Sequence, residues 1–185
     1  MYKRSSSNDK TPLRKFMFDT LNRGITAPLR CTKPVACSVD GHAIAGGLIL
    51  ALACDYIALG TKKPFRLGVT ELLVGVPFPN IPLEIVRHQL EPQLAHRLIF
   101  DANLVSSNEP AFRYERGENP DDLAQKWLSI VSQRPLKGFA ITKKKWWSDR
   151  ISLDTTVETD QQQTEFIDVI SGNDCLQAMK KTLEK

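Results

Sequence analysis

The chain has 185 residues, of which 42% are hydrophobic and 25% charged, values that are ordinary for one globular domain with a sizeable core. The formal net charge of +4 is mild and both signs are mixed along the chain, so no concentrated basic face indicates a nucleic-acid partner. No stretch approaches the roughly 18 uninterrupted apolar residues of a membrane-spanning helix, so we expect no membrane partner.

The first part of the chain alternates between helices and short strands. Thr11–Asn22 predicts a helix, and Pro28 marks the start of a link into the next element. The apolar run Val35–Val39 predicts a buried strand, and Tyr56–Gly60 predicts a second one. Between them, the segment from Gly46 to Asp55 has hardly a polar side chain and predicts a buried helix. Two strands joined in this way form a right-handed crossover and are therefore parallel.

The second part of the chain is mostly helical. Glu71–Gly75 predicts a short apolar helix or turn, and the prolines of Val76–Pro82 predict a stiff loop after it. Ser106–Glu109 matches a capping box, but the polar, broken segment 110–120 that follows cannot continue the helix. The predicted helices are Pro82–Leu90, Pro92–Phe100, Pro120–Val131, Pro135–Trp147, Asp160–Ile170 and Asn173–Leu183.

The glycine pair at the start of the buried helix is the first candidate functional feature. The first amide N–H groups of a helix have no partner within it and lie at the positive end of its macrodipole. Gly46 and Gly47 would let another group come close to these amides, so the pattern predicts a site for an anion or an oxyanion. Tight packing between helix and strand explains the same two glycines without any function, and the glycines alone favour this reading.

Three segments together resemble the enoyl-CoA hydratase/isomerase (crotonase) family. They are Val39-Asp-Gly-His-Ala-Ile-Ala-Gly-Gly-Leu48, Ala53-Cys-Asp55 and Glu71-Leu-Leu-Val-Gly75. The resemblance implies an α/β fold, a crotonase-type spiral of ββα turns, followed by a helical C-terminal region. We expect the spiral to be partial, because residues 1–32 contain nothing like the first strands and the loop of relatives. We divide the single structural unit into a core, 1–110, and a helical oligomerisation region, 111–185.

The resemblance also implies catalytic residues. Gly46 matches the glycine whose N–H forms half of the family's oxyanion hole, and Glu71 matches an acid/base glutamate. Hydratases carry a second glutamate where Ile49 stands here, and Pro79 stands nearest to an amide that helps hold the water. Both differences point away from water addition and towards isomerisation by a single glutamate. For Glu71 an ordinary exposed position at a helix start remains the alternative.

The resemblance implies an acyl-CoA thioester as the ligand, with coenzyme A as part of the substrate and no separate cofactor. The residues expected to contact it are His42, Ala43, Ile44, Gly47, Ile49 and Phe78. We expect no metal site, because His88 and His96 have no companion ligand. The family's second oxyanion donor comes from the loop that is missing here. A catalytically inactive scaffold or fragment that binds CoA esters or a partner subunit is therefore the alternative to an isomerase, and a hydratase is less favoured.

Partners and location follow from weaker signals. The terminal helices of relatives build trimers, so we expect a homotrimer or hexamer, with packing inside the chain as the alternative. The run 143–147 predicts a solvated helix face followed by two packed tryptophans, with CoA phosphates or RNA as less favoured contacts. The four cysteines lack metal or redox spacing and predict reduced core thiols. No targeting signal is evident, so we expect a cytoplasmic protein.

Overall fold

The computed structural model describes residues 9–148, 151 and 158–184. It begins with a continuous helical stretch made of α1 (Thr11–Lys15), a π-helical turn (Phe16–Leu21) and α2 (Asn22–Arg30). The prediction of a link from Pro28 onward was wrong, because the helix runs through this residue. The carbonyl that loses its helical donor there belongs to Gly24, which is exposed and can bind water instead. The polar residues 1–11 predict a disordered or frayed start. Of these, 1–8 lie outside the described residues, and Thr11 already begins α1.

Six short strands form two small sheets. They are β1 (Ala36–Val39), β2 (Ala43–Ile44), β3 (Tyr56–Gly60), β4 (Arg66–Gly68), β5 (Val105–Ser106) and β6 (Glu115–Gly117). The first sheet has the order β1-β3-β6 and is parallel throughout, with Ala36 opposite Tyr56. The second has the order β2-β4-β5, in which β2 and β4 are parallel and β5 is antiparallel. The predicted parallel pairing of the first two long strands is confirmed.

Two successive turns of the chain repeat the same pattern of strand, strand and helix. The first turn is β1, β2 and α3 (Gly46–Leu52), and the second is β3, β4 and a 3₁₀ helix (Glu71–Val74) that leads to α4 (Asn80–Gln89). This arrangement confirms the partial crotonase-type spiral of ββα turns. The prediction that α3 is buried on all sides was wrong, because Gly47 is exposed and Leu50 is 44% exposed.

The helical C-terminal region is also confirmed. The helices are α5 (Pro92–Phe100), α6 (Pro120–Val131), α7 (Leu136–Ser148), α8 (Asp160–Ile170) and α9 (Asn173–Leu183). Helices α5, α6, α8 and α9 have the predicted bounds. The sequence marks the starts of the first three. Pro92 and Pro120 occupy first turns, and Thr159 forms a capping box with Gln162 at the start of α8.

In α7 the predicted solvated face is only partly correct. Lys144 and Lys145 are exposed, as expected. Lys143 is buried instead, and its Nζ lies 2.5 Å from the Asp55 carboxylate. Trp147 is buried, whereas Trp146 is 62% exposed and does not pack as expected.

The segment between α5 and α6 holds the strands β5 and β6 and not a helix. Ser106 Oγ accepts a hydrogen bond from the Asn108 N–H at 3.2 Å, so the capping-box residues close a turn. Phe112 is fully buried there. The Arg116 guanidinium donates to the carbonyls of Ser107, Glu109, Phe112 and Tyr114. The Arg116 guanidinium thus satisfies four backbone carbonyl groups in a segment that forms no helix.

The side chains pack into two hydrophobic clusters. The main core contains residues from α2, the sheets and α3 to α5, and it also includes Phe112, Trp147 and Ile151. The second, here called the C-terminal cluster, consists of Phe18, Phe166, Ile167, Ile170 and Cys175, with Leu13, Met17, Val76 and Met179 packed against it. The division at residue 110 stays a prediction. Of the described helices, none is both long and apolar enough to cross a membrane.

Candidate functional site

The ends of β2 and β4 place the two principal candidate residues at one sheet edge. The strands are parallel, and Ile44 lies opposite Gly68. Gly46 follows the end of β2 and Glu71 follows the end of β4. Paired strands lie about 4.8 Å apart, so both residues leave the same edge of the sheet as neighbours. That the Gly46 amide faces the Glu71 carboxyl group stays a prediction.

Ala45, the residue before α3, has a strained backbone conformation. Ala45 has φ 54° and ψ −128°, a conformation that residues with a Cβ rarely adopt. Its N–H donates to the Gly68 carbonyl at 2.8 Å, and its own carbonyl accepts from the Ile49 N–H at 3.2 Å. A Cβ added at Gly46 or Gly47 would meet no atom within 4 Å. Open space therefore adjoins the Cα atoms of these two glycines at the start of α3.

The Glu71 carboxyl group is partly buried at the start of its 3₁₀ helix. Its Oε2 atom is buried and has no hydrogen-bond partner within the described residues. Burial raises the pKa of Glu71, while hydrogen bonds from the backbone N–H groups of Glu71 and Thr70 act in the opposite direction. The left-handed Gly75 ends the helix, and the Val76 N–H donates to the Glu71 carbonyl at 2.9 Å. Such a carboxyl group can take up and release protons closer to neutral pH than an exposed one.

Two positions near this edge lack the groups that water addition would use. The Ile49 side chain is 2% exposed and belongs to the main core, so no proton-carrying group occupies that place on α3. Pro79 is the N-cap of α4 and has no N–H to donate. Ile49 therefore adds no second carboxyl group to that of Glu71, and Pro79 adds no amide donor.

The other predicted contact residues divide between surface and core. Ile44 is 39% exposed, Gly47 is exposed, and Ala43 is buried. His42 is exposed, and its Nδ1 accepts the Arg66 N–H at 2.9 Å, which joins the turn before β2 to the start of β4.

Phe78 lies in the proline loop, apart from those residues. Its side chain is half-buried and packs against the main core. It also lines a cavity of about 330 Å³, together with Phe18, Phe166 and Glu158. This cavity separates the loop after Glu71 from α8.

Sequence reasoning missed Glu158, which fastens that loop. The side chain is buried, and its Oε1 accepts the Asn80 N–H at 2.6 Å, at the first turn of α4. The Gln163 Nε2 donates to the Glu158 carbonyl at 3.2 Å, which ties the residue to α8. A carboxylate at a helix N-terminus is favoured by the macrodipole. No local pattern marks this residue, because its partner Asn80 lies 78 positions earlier in the chain.

Two C-terminal helices of the same chain, α8 and α9, contact the segment that begins at Glu71. Helix α9 contacts the 3₁₀ helix, and Cys175 lies against Gly75. Val76 packs into the C-terminal cluster beside α8. Packing inside the chain therefore accounts for part of the apolar surface of α8 and α9, while oligomerisation stays a prediction.

Known proteins share both the sequence pattern and the fold. The model of the enoyl-CoA hydratase/isomerase family matches residues 2–113. A Thermus thermophilus protein named as an enoyl-CoA hydratase is 36% identical over 77 residues, which are 42% of this chain and 29% of that protein. The structure of an enoyl-CoA hydratase from Mycobacterium avium has a TM-score of 0.75 at 21% identity, covering 96% of this chain and 70% of that one. A methylmalonyl-CoA decarboxylase structure has a TM-score of 0.75 at 16% identity, covering 95% of this chain and 71% of that one.

The extent of these matches decides what each one means. The two structures are distant in sequence and establish the fold alone. The chain spans less than a third of the length of the curated relatives it matches. The family model covers more than half of the chain and includes both Gly46 and Glu71. The chain therefore belongs to the enoyl-CoA hydratase/isomerase family.

Proposed function

We propose that the chain binds an acyl-CoA thioester at the edge where β2 and β4 end, and that Glu71 moves a C=C bond of the acyl group. The observation that carries this proposal is the partly buried Glu71 carboxyl group, whose pKa is raised by burial and which has one buried oxygen. A base of this kind is suited to remove a proton from C2 of a 3-enoyl thioester and to return it at C4.

The intermediate of this transfer needs an anion stabiliser. Loss of the C2 proton forms a dienolate, whose negative charge develops on the thioester oxygen. The Gly46 N–H, at the first position of α3, is the donor that we assign to this oxygen. The positions of Ile49 and Pro79 support isomerisation over hydration, because hydration needs two carboxylates and a held water.

A scaffold without catalysis is the second candidate. Residues 11–30 are helical, so among the described residues they provide no loop with a second oxyanion donor. Loss of one such donor commonly lowers the rate by about two to three orders of magnitude. The scaffold would bind CoA esters or a partner subunit without turnover.

Assembly and location are part of the same proposal. A homotrimer or hexamer agrees with exposed apolar side chains such as Ile130, Ile141 and Trp146. Sedimentation velocity of the purified chain tests this, and a monomer across all concentrations would contradict it. We retain a cytoplasmic location as an expectation, to be checked by fractionation.

The decisive experiment compares wild type, Glu71→Gln and Glu118→Gln on 3-enoyl-CoA, 2-enoyl-CoA and methylmalonyl-CoA. Glu118 is exposed and serves as the matched control. We expect isomerisation of 3-enoyl-CoA that falls at least about 100-fold in Glu71→Gln and is unchanged in Glu118→Gln. Calorimetric binding of a CoA ester, without turnover of any substrate, would support the scaffold instead. Hydration of 2-enoyl-CoA would show that the argument from Ile49 is wrong, and decarboxylation would refute the assigned reaction.

A further inference from the structure

The cavity between the proline loop and α8 contains a carboxyl group that the proposed reaction does not use. The cavity has a volume of about 330 Å³, and Glu158 is one of the residues that line it. We propose that this cavity is a binding site for a small organic cation, a primary ammonium ion that carries an apolar body. The proposal uses neither Glu71 nor Gly46 and stands independently of the proposed catalysis.

The Glu158 carboxyl group has one oxygen that is hydrogen-bonded and one that is not. The residue is 8% exposed, and its Oε1 accepts the Asn80 N–H at 2.6 Å. Its Oε2 is buried and accepts no hydrogen bond within the part of the chain that the structure describes. A buried oxygen in this state costs free energy, because it has lost the hydrogen bonds that water would give it. A ligand with an N–H donor would supply such a bond.

The charges around the cavity favour a positive ligand. Glu165 provides a second carboxyl group in the lining, and the described residues of the lining include no lysine, arginine or histidine. Neither Glu158 nor Glu165 forms an ion pair with another described residue. The Arg14 guanidinium approaches α8 elsewhere, because it donates to Thr164 Oγ1 at 2.5 Å and Thr164 does not line the cavity. A cation in the cavity would therefore meet negative charge alone.

Three phenylalanine rings supply the apolar part of the site. Phe18, Phe78 and Phe166 line the cavity, and the rings of Phe18 and Phe166 meet edge to face with their centroids 5.2 Å apart. The face of an aromatic ring carries partial negative charge and attracts an ammonium ion, while the ring also packs against an apolar body. The combination of these rings with the Glu158 carboxyl group distinguishes the site from one for a neutral hydrocarbon chain.

Helix α8 forms the exposed side of the cavity. Gln162, Glu165, Phe166 and Val169 follow the spacing i, i+3, i+4 and i+7 along this helix, so they share one face. Gln162 and Glu165 are exposed and Val169 is 47% exposed, so these side chains can turn aside to admit a ligand to the buried carboxyl group. The volume of about 330 Å³ lies near the lower end of the range of ligand pockets, which indicates a small ligand.

Titration calorimetry of the whole chain with 2-phenylethylammonium and with 2-phenylethanol at neutral pH tests the proposal. The two probes share the same apolar body, and only the first carries a positive charge. We expect the ammonium ion to bind at least about tenfold more tightly than the alcohol, because a hydrogen bond between two charged groups is stronger than one with a neutral partner. Equal affinities for the two probes, or no binding of the ammonium ion up to about 10 mM, would overturn the proposal.

Matched variants locate the binding at Glu158. Glu158→Gln keeps an oxygen that can accept the Asn80 N–H but removes the charge, and it should lower the affinity for 2-phenylethylammonium at least about tenfold. The exposed control Glu118→Gln should change it by less than about twofold. An equal loss in both variants, or none in Glu158→Gln, would contradict the assigned site.

A charge reversal at the rim gives a second test that leaves the buried carboxyl group in place. Glu165 is exposed, so Glu165→Lys should fold, and its cation should lower the affinity for 2-phenylethylammonium at least about threefold by repulsion. Glu118→Lys is the matched control and should have no such effect. This test remains decisive if Glu158→Gln does not fold, and an unchanged affinity in Glu165→Lys would overturn the proposal.

Discussion

Replacement of Lys143 by methionine removes a buried cation while keeping most of the side-chain volume. The Lys143 Nζ lies 2.5 Å from Asp55 Oδ2, and the two side chains are only 4% and 13% exposed. The attraction across this distance is about 7 kcal/mol at an effective dielectric constant of about 20, and desolvation of both ions offsets much of it. Loss of one partner from a buried pair typically costs about 3–5 kcal/mol, because the other charge stays buried.

The structure favours the lower end of that range. Asp55 keeps the hydrogen bond from the Val35 N–H at 2.8 Å, which continues to stabilise its carboxylate after the lysine is gone. We therefore expect Lys143→Met to lower the free energy of unfolding by about 3 kcal/mol. For a chain of this length the melting temperature should then fall by roughly 6–12 °C.

Urea denaturation followed by tryptophan fluorescence measures this loss. Lys144→Met is the matched control, because Lys144 is the next residue of the same helix and is exposed. Its effect should stay within about 0.5 kcal/mol. In the double variant Lys143→Met/Asp55→Asn the loss should be smaller than the sum of the single losses. A loss below about 1 kcal/mol in Lys143→Met, or one equal to that of Lys144→Met, would refute the reasoning that the pair stabilises the fold.

Three further predictions test other parts of the structure. Burial raises the pKa of Glu71 in the folded state above its ordinary value of 4.5. As the pH rises, the carboxyl group therefore loses its proton in the unfolded state before it does so in the folded state. The free energy of unfolding of the wild type should fall above about pH 4.5 for this reason. The unfolding free energy of Glu71→Gln should therefore rise relative to wild type between about pH 4 and pH 7, and a constant difference in urea titrations would contradict this. Ala45→Gly should stabilise the protein by about 1 kcal/mol, because glycine relieves the strain at φ 54°, and calorimetry showing a loss would refute the strain argument. Phe112→Ala should lower the free energy of unfolding by about 4 kcal/mol, because the ring of Phe112 is fully buried. The control Phe100→Ala, at a position that is 64% exposed, should change it by less than about 0.5 kcal/mol in the same urea assay.

The parts of the fold that depend on local signals were predictable from the sequence. Helix α6 begins with Pro120 followed by two aspartates, and its bounds match the prediction. The parallel pairing of β1 and β3 followed from the short buried connection between them. The two-residue strand β2 carried no such signal, because two residues show no periodicity. Its position is defined by pairing with β4, a contact between segments that are distant in sequence.

The wrong placement of Lys143 depends on a partner that lies 88 residues away in the chain. Lys143 resembles its exposed neighbours in sequence, and only the arrival of Asp55 makes its burial favourable. Arg116, by contrast, organises its segment through four carbonyl groups that lie within nine residues of it, a set of contacts that no helical or strand periodicity reveals.

The candidate site combines both kinds of information. Gly46 and Glu71 were predictable as residues, because each lies in a segment that resembles the enoyl-CoA hydratase/isomerase family. Their placement at one edge depends on the register of β2 with β4, which the sequence does not encode locally. Helix α9, from the opposite end of the chain, contacts the 3₁₀ helix that begins at Glu71. Burial of the Glu71 carboxyl group, and with it the rise of its pKa, is therefore a property of the assembled fold. A variant that opens this part of the fold and exposes the carboxyl group should therefore lower the pKa of Glu71 towards its ordinary value.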